Sequence, residues 1–110
     1  MPRTFYAPLV AGLVLLASSG SLAAFEATVV IRDHRFDPAE IKVPLAARVK
    51  LSVVNKDPTP EEFESHELRI EKVIPGGGTG VVRFGPLGPG TYPFFGEFNE
   101  ATAQGKIIVE

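Results

Sequence analysis

Gly90-Thr91-Tyr92-Pro93-Phe94-Phe95-Gly96-Glu97-Phe98-Asn99-Glu100-Ala101-Thr102-Ala103-Gln104-Gly105-Lys106-Ile107-Ile108-Val109 is the stretch whose reading decides the fold. Tyr92, Phe94 and Phe95 are aromatic and residues 106–109 are rich in β-branched side chains, the two compositions that suit a pleated, half-buried strand. Between them lies a polar loop flanked by Gly96 and Gly105. Two short strands around a loop rich in small and polar residues belong to an all-β domain.

Working outward, the same grammar recurs. Residues 27–32 form a short β-branched run, Phe36-Asp37-Pro38 a turn, and residues 40–43 a second run that stops at Pro44. Val49, Leu51 and Val53 alternate with Lys50 and Ser52, as in a half-buried strand. Asn55 to Pro60 breaks that strand, and residues 61–65 read as a helical turn or loop. Residues 66–74 alternate again, with His66, Leu68 and Ile70 on one face and Glu67, Arg69 and Glu71 on the other. Pro75-Gly76-Gly77-Gly78 turns the chain into a strand at 81–84, and a Gly/Pro cluster follows at 85–90. Seven or so short strands with turn signals at this spacing predict a Greek-key β-sandwich. No heptads, repeats or long helical periods appear.

Residues 1–24 stand apart. Arg3 gives a positive start, residues 9–17 form a short apolar run, and Ser21-Leu22-Ala23 or Leu22-Ala23-Ala24 offers a small-x-small cleavage site. This is the pattern of a secretory signal peptide, and the apolar run is well short of the ~20 residues that span a bilayer. Residues 25–110 then make one small domain, able to bury a modest core. The chain has no cysteine, so disulfides, thiolate copper sites and iron–sulfur clusters are excluded. The net charge of −2 argues against nucleic acid and anionic membrane surfaces as partners.

The C-terminal stretch resembles the loop of blue-copper proteins, which reads roughly G-x-Y-x-F-x-C-x-x-H-x-x-x-M-x-G-x-I-x-V. Here the Cys position holds Gly96, the His position Asn99 and the Met position Ala103. A trigonal Cys-and-two-His copper centre is therefore impossible. The opening Phe36-x-Pro38-x-x-Ile41-x-Val43-Pro44, followed by Val49-x-Leu51-x-Val53-x-Asn55-Lys56-Asp57, also looks like the start of a cupredoxin-like domain. A narrower resemblance lies in Glu62-Phe63-Glu64-Ser65-His66-Glu67-Leu68-Arg69-Ile70-Glu71-Lys72 and in Phe95-Gly96-Glu97-Phe98-Asn99. These blocks are similar to the EfeO-type cupredoxin-like proteins of bacterial periplasmic iron uptake. That resemblance implies a periplasmic location and a role in oxidising or delivering iron. It also implies as partners a periplasmic iron-binding protein and an inner-membrane iron permease. Asn99 departs from the His expected in relatives, which leaves His66 and Glu97 as the first positions to carry over.

The candidate metal ligands are His66, Glu97 and Glu67. His66 shares parity with Leu68 and Ile70 and follows the acidic loop, where this fold is expected to bring its first His to the rim. Neutral imidazole ligates copper, zinc and iron. Glu97 lies in the loop that would carry copper ligands, beside Gly96, whose missing side chain is expected to leave space. Carboxylate with imidazole suits iron or Cu(II), so copper or iron is the expected ion. Glu67 adjoins His66 but faces the other side of an ideal strand, and it joins only if the strand ends or bulges there. Asp57, Glu61, Glu62, Glu64, Glu67 and Glu71 place six acids in fifteen residues, most of them expected to form a solvated face. His34 reads as a surface turn residue, and Phe94, Phe95 and Phe98 as packing. Gly76-Gly77-Gly78 lacks the helix and Lys-Ser/Thr of a phosphate loop. Ser65 and His66 are adjacent and point to opposite faces, which excludes a nucleophile–base pair.

The expected function is thus a periplasmic metal-binding protein supporting iron oxidation or delivery. The competing expectation is a metal-free module that docks a basic partner through its acidic face.

Overall fold

The computed structural model describes residues 24–110, so the expected leader lies outside the described residues except for Ala24. Nine strands follow one another: β1 (Phe25–Arg32), β2 (Arg35–Asp37), β3 (Glu40–Val43), β4 (Val49–Asn55), β5 (Glu61–Ser65), β6 (Ile70–Ile74), β7 (Thr79–Phe84), β8 (Gly90–Gly96) and β9 (Gln104–Val109). The helical element among the described residues is a single 3₁₀ turn, Glu97–Asn99. The strands make a four-stranded sheet, ordered β2-β1-β4-β7, and a five-stranded sheet, ordered β3-β9-β8-β5-β6. This is the predicted Greek-key sandwich, with two strands more than the sequence announced.

The core lies between the sheets. Alternation in β4 buries Val49, Leu51 and Val53, and β1 contributes Val29 and Ile31. Phe63 and Phe94 stack at 4.8 Å, and Phe36 meets both edge-on at 5.9 and 4.9 Å. Aromatic pairs in these offset and T-shaped arrangements add to the area they bury. They fix β2, β5 and β8 against one another at one end of the sandwich.

Two elements differ from expectation. Residues 61–65, Glu-Glu-Phe-Glu-Ser, are strand β5 and not a loop. Three acids mask its alternation, because the inward row is Glu61, Phe63 and Ser65 and only Phe63 is apolar. Residues 66–69 are a turn and not the start of a strand. Arg69 takes φ 58°, the left-handed region that breaks extended structure. His66 therefore does not share a strand face with Leu68 and Ile70.

Asparagine and aspartate side chains set the approach to β5. Buried Asn55 donates to Thr59 O at 2.9 Å and Ile74 O at 3.2 Å, and its Oδ1 accepts from Asp57 N at 3.0 Å. Asp57 in turn accepts the backbone N–H groups of Asp33 and His34 at 2.8 and 2.9 Å. Those two residues sit at φ 53° and 57° in the β1–β2 turn. The His34 amide first, then that of Asp33 and the nearby His34 and Arg32 charges, hold the Asp57 carboxyl below its usual range despite burial. His34 is the surface turn residue the sequence indicates. Thr102 Oγ1 donates to His34 O at 2.6 Å, joining that turn to the loop after β8.

Candidate metal centre

The loop from Gly96 to Ala103 closes on itself: Gly96 N donates to Ala103 O and Ala103 N to Asn99 O, both at 2.9 Å. This brings Gly96, Asn99 and Ala103, the three positions of the missing copper ligands, around one point. The point is filled from β5. Glu61, 1% exposed, directs its carboxylate there. Its Oε1 accepts from Phe98 N at 2.9 Å and Glu62 N at 3.0 Å, and its Oε2 accepts from Asn99 Nδ2 at 2.7 Å. A Cβ built on Gly96 would stand 2.6 Å from Glu61 Cδ, 2.7 Å from Glu61 Oε2 and 2.7 Å from Ala103 Cβ. Gly96 thus does not open space at the rim, as the sequence led us to expect. It admits the Glu61 side chain, and the loop acid expected to be solvated is buried.

A copper ion does not fit this place. The donors there are one carboxylate, whose two oxygens already accept three hydrogen bonds, and one amide. Thiolate and imidazole, the ligands that favour copper in this geometry, are missing.

The opposite face of β5 is different. Strand parity sends Glu62 and Glu64 away from the core, onto the outer surface of the five-stranded sheet. There Glu64 pairs in register with Glu71 of β6 and Phe95 of β8, while Glu97 follows directly after β8. One carboxylate oxygen each from Glu62, Glu64 and Glu97 lies within 4.8 Å of the others. Glu64 is only 7% exposed, and its Oε1 is buried without a hydrogen-bond partner. An orphaned buried oxygen is a costly exception in folded proteins. Its other oxygen lies 3.5 Å from His66 Nδ1. The His66 ring leans on Phe95 at 5.3 Å between centroids and is otherwise exposed. A cleft of about 280 Å³ beside it is lined by Glu64, Ser65, His66, Arg69, Ile70 and Glu71.

The electrostatics match the crowding. The hydrogen bond that Glu64 and Glu97 can share only when one of them is protonated, then burial, then the charges of Glu97 and Glu71, push the Glu64 carboxyl up to about 7, with His66 opposing. Burial first, and then Glu71 and Glu97, also raise Glu62. Without a cation, like charges here oppose one another's ionisation.

Of the three sequence candidates, the structure brings Glu97 to this cluster and sets His66 against one of its members. Glu67 is exposed in the 66–69 turn and is not among the converging carboxylates. Glu62 and Glu64 do not stand out from the other acids while 61–65 reads as a helical turn or loop. The missed signal was the i, i+2 spacing of two acids around a phenylalanine. Ser65, buried, donates to Pro93 O at 2.8 Å and accepts from Leu68 N at 3.2 Å, a structural role.

The sequence profile of the cupredoxin-like domain matches residues 5–109. This chain belongs to the cupredoxin-like domain family. An uncharacterised protein of Rickettsia prowazekii is 43% identical over 84 residues, covering 76% of this chain and 67% of that protein. Auracyanin A, a blue copper protein of Chloroflexus aurantiacus, superposes with a TM-score of 0.67 at 14% identity, over 80% of this chain and 100% of that one. The metal-binding domain of the Cu(I)-exporting P-type ATPase CopA of Streptococcus pneumoniae gives 0.69 at 18% identity, over 77% and 84% of the two chains. At these identities the two structures establish the shared cupredoxin-like fold. Within that fold, this cupredoxin-like chain has a glutamate where copper chemistry would require soft or imidazole donors.

Proposed function

We propose that this cupredoxin-like protein binds a hard metal ion, with iron as the physiological candidate, on the outer face of its five-stranded sheet and not in the copper position. The observation that carries the reading is Glu64: a carboxylate more than nine-tenths buried, with one oxygen unpartnered, converging with Glu62 and Glu97. Oxygen-only donors favour hard cations, and His66 stands beside Glu64 as a further donor acceptable to iron. An octahedral ion with bonds of about 2.1 Å separates opposite oxygens by at most about 4.2 Å. The carboxylates must therefore draw in slightly, and exposed Glu97 has the freedom to do so.

The likeness of the 62–72 and 95–99 blocks to the EfeO-type proteins supports placing this activity in the periplasm, within a bacterial iron-uptake system. The ion would be cargo or substrate, received from or passed to an iron-binding protein and an iron permease. A partly exposed carboxylate site suits exchange better than permanent retention. The second reading, a docking module for a basic partner, is favoured by Phe98, which is 51% exposed beside Glu97 at the loop tip.

Calorimetric titration with Fe(II) under anaerobic conditions, and with Mn(II), Zn(II) and Cu(II), separates the two. The metal reading expects one site for Fe(II) or Mn(II) that Glu64→Gln removes. Equal weak heats from wild type and Glu64→Gln would sink it and favour docking.

A further inference from the structure

The position that corresponds to the copper site of blue-copper proteins is filled by Glu61. We infer that the Glu61 carboxylate is an internal latch that holds the 96–103 loop in place and thereby positions Glu97 against Glu62 and Glu64. The inference rests on the metal reading above, but its structural half stands on separate observations.

First, the latch links two segments far apart in sequence. Glu61 begins β5, and its partners Phe98 N and Asn99 Nδ2 lie 37 and 38 residues later. Second, both of its oxygens are engaged: Oε1 takes two N–H groups and Oε2 takes the amide. Buried carboxylates are tolerated when so satisfied, and hydrogen bonds to a charged acceptor are stronger than neutral ones. Third, the neighbouring residues leave room for it. Gly96 and Ala103 are the small residues on its flanks, and a side chain at position 96 would overlap it. Fourth, the latch grips both sides of the proposed ligands. Glu62 N donates to Glu61 directly, and Glu97 sits between Gly96, which packs against Glu61, and Phe98, which donates to it. Holding residues 96 and 98 fixes the backbone from which Glu97 projects.

The same geometry distinguishes a latch from a ligand. Both Glu61 oxygens face donors of the protein, so the carboxylate acts through hydrogen bonds and not by touching the ion. Glutamine can replace it. With the Asn99 amide turned over, a glutamine carbonyl accepts from Phe98 and Glu62 while its NH₂ donates to Asn99 Oδ1. Leucine cannot. Asn99→Asp is more telling, because it adds a negative charge near a cation site yet sets a second carboxylate against Glu61. Simple attraction would strengthen cation binding, whereas an unlatched loop would weaken it.

The test uses Mn(II) as probe, at neutral pH, with two readouts: Mn(II) affinity and the hydrogen-exchange rate of the Phe98 amide. Glu61→Leu is expected to weaken Mn(II) about tenfold and to speed Phe98 exchange by at least as much, the scale of losing hydrogen bonds to a charged group. Glu61→Gln should stay within about threefold of wild type in both, the residue of a conserved hydrogen-bond set. Asn99→Asp should weaken Mn(II), and adding Glu61→Gln to it should restore binding. Val53→Ala, a core change in β4 remote from the loop, should destabilise the domain without altering either readout. If Glu61→Leu fails to fold, the Asn99→Asp pair decides alone. Unchanged affinity and exchange in Glu61→Leu, or stronger binding in Asn99→Asp, would overturn the inference. So would equal losses from Gln and Leu at 61, which would make the carboxylate charge itself the ligand. A wild-type chain that takes up no Mn(II) would sink the metal reading, while Phe98 exchange would still report whether Glu61 latches the loop.

Discussion

Glu61 and Glu64 lie on the same five-residue strand, are both buried, and have opposite fates. Glu61 points inward and finds three donors. Glu64 points outward and finds three acids, one histidine and no partner for one of its oxygens. Strand parity alone separates them. The inner carboxylate is a finished structure: it accepts hydrogen bonds, fills space that glycine leaves and needs nothing else. The outer one is unfinished, because its neighbours raise the cost of its charge and only a proton or a cation lowers it. In this cupredoxin-like domain the place that looks like the metal site is therefore structural, and the place that looks like an ordinary acidic surface is where we propose that an ion binds.

The largest effect that would break this comparison is at Gly96. Gly96→Ala should destabilise the domain by about 3 kcal/mol, the upper end of overpacking, since the new methyl meets Glu61 and Ala103 at 2.6–2.7 Å. In a Glu61→Ala background the same change should cost about 1–2 kcal/mol less, as expected for residues in direct contact. Denaturant unfolding of the four variants measures the coupling. Additive costs would mean that Glu61 is not what excludes a side chain at 96.

Next in size is Glu64→Gln. Even partners outside the ligand shell cost about tenfold to a hundredfold in metal affinity when removed, so loss of this carboxylate should weaken Fe(II) or Mn(II) by at least about tenfold. Thermal unfolding should show the apo variant no less stable than wild type at pH 8, because the substitution removes a disfavoured charge. A large loss of stability would make Glu64 a structural acid like Glu61.

The sandwich was legible in the sequence because its evidence is redundant. Alternation in 49–53, the apolar ends of 106–109 and the Pro/Gly turns each say β, and the Asn55 to Pro60 stretch ends β4 where its residue types suggest. The acid pattern was not legible. Its meaning depends on whether 61–65 is extended, and an inward glutamate erases the alternation that would announce a strand. The shared strand face of His66, Leu68 and Ile70 failed for the same reason, since β5 ends at Ser65 and the chain turns before β6. The position of Glu97 at the start of the loop is legible because the loop framework sets it after the last aromatic run. Its partners Glu62 and Glu64 come from a neighbouring strand, and register between distant strands is invisible in local sequence.

A smaller effect sharpens the comparison through pH. Glu64 titrates near 7 in the folded domain, above its ordinary value. The folded state thus holds a proton that the unfolded chain releases, and this group's contribution to stability is full below the unfolded pKa and is lost as pH rises through about 7. Asp57 has the opposite sign: its folded pKa is lowered, so its contribution is present at neutral pH and lost as pH falls through the acid range. An ion bound at Glu64, as proposed, would displace its proton, so affinity should rise from pH 6 to pH 8 and protons should be released on binding. Calorimetry in buffers of different ionisation heat counts them. Binding that is flat across this range would place the ion away from Glu64.

The smallest expected effects separate the two sequence candidates that flank the cluster. His66 lies 3.5 Å from Glu64 but is largely exposed, so it is well hydrated and contributes as an exposed pair does. His66→Ala should therefore weaken Mn(II) by about two- to fivefold, the range for an exposed charged or polar partner. Glu67 is a residue further along the turn, outside the converging carboxylates, and Glu67→Gln should change affinity less than His66→Ala does. His34→Ala, on the β1–β2 turn held by Asp57, should leave Mn(II) affinity unchanged while loosening that turn. A Glu67→Gln loss as large as that of Glu64→Gln would mean that the 66–69 turn rearranges on binding. The outer site would then be built around His66 and Glu67, and β5 would present a surface of solvated acids after all.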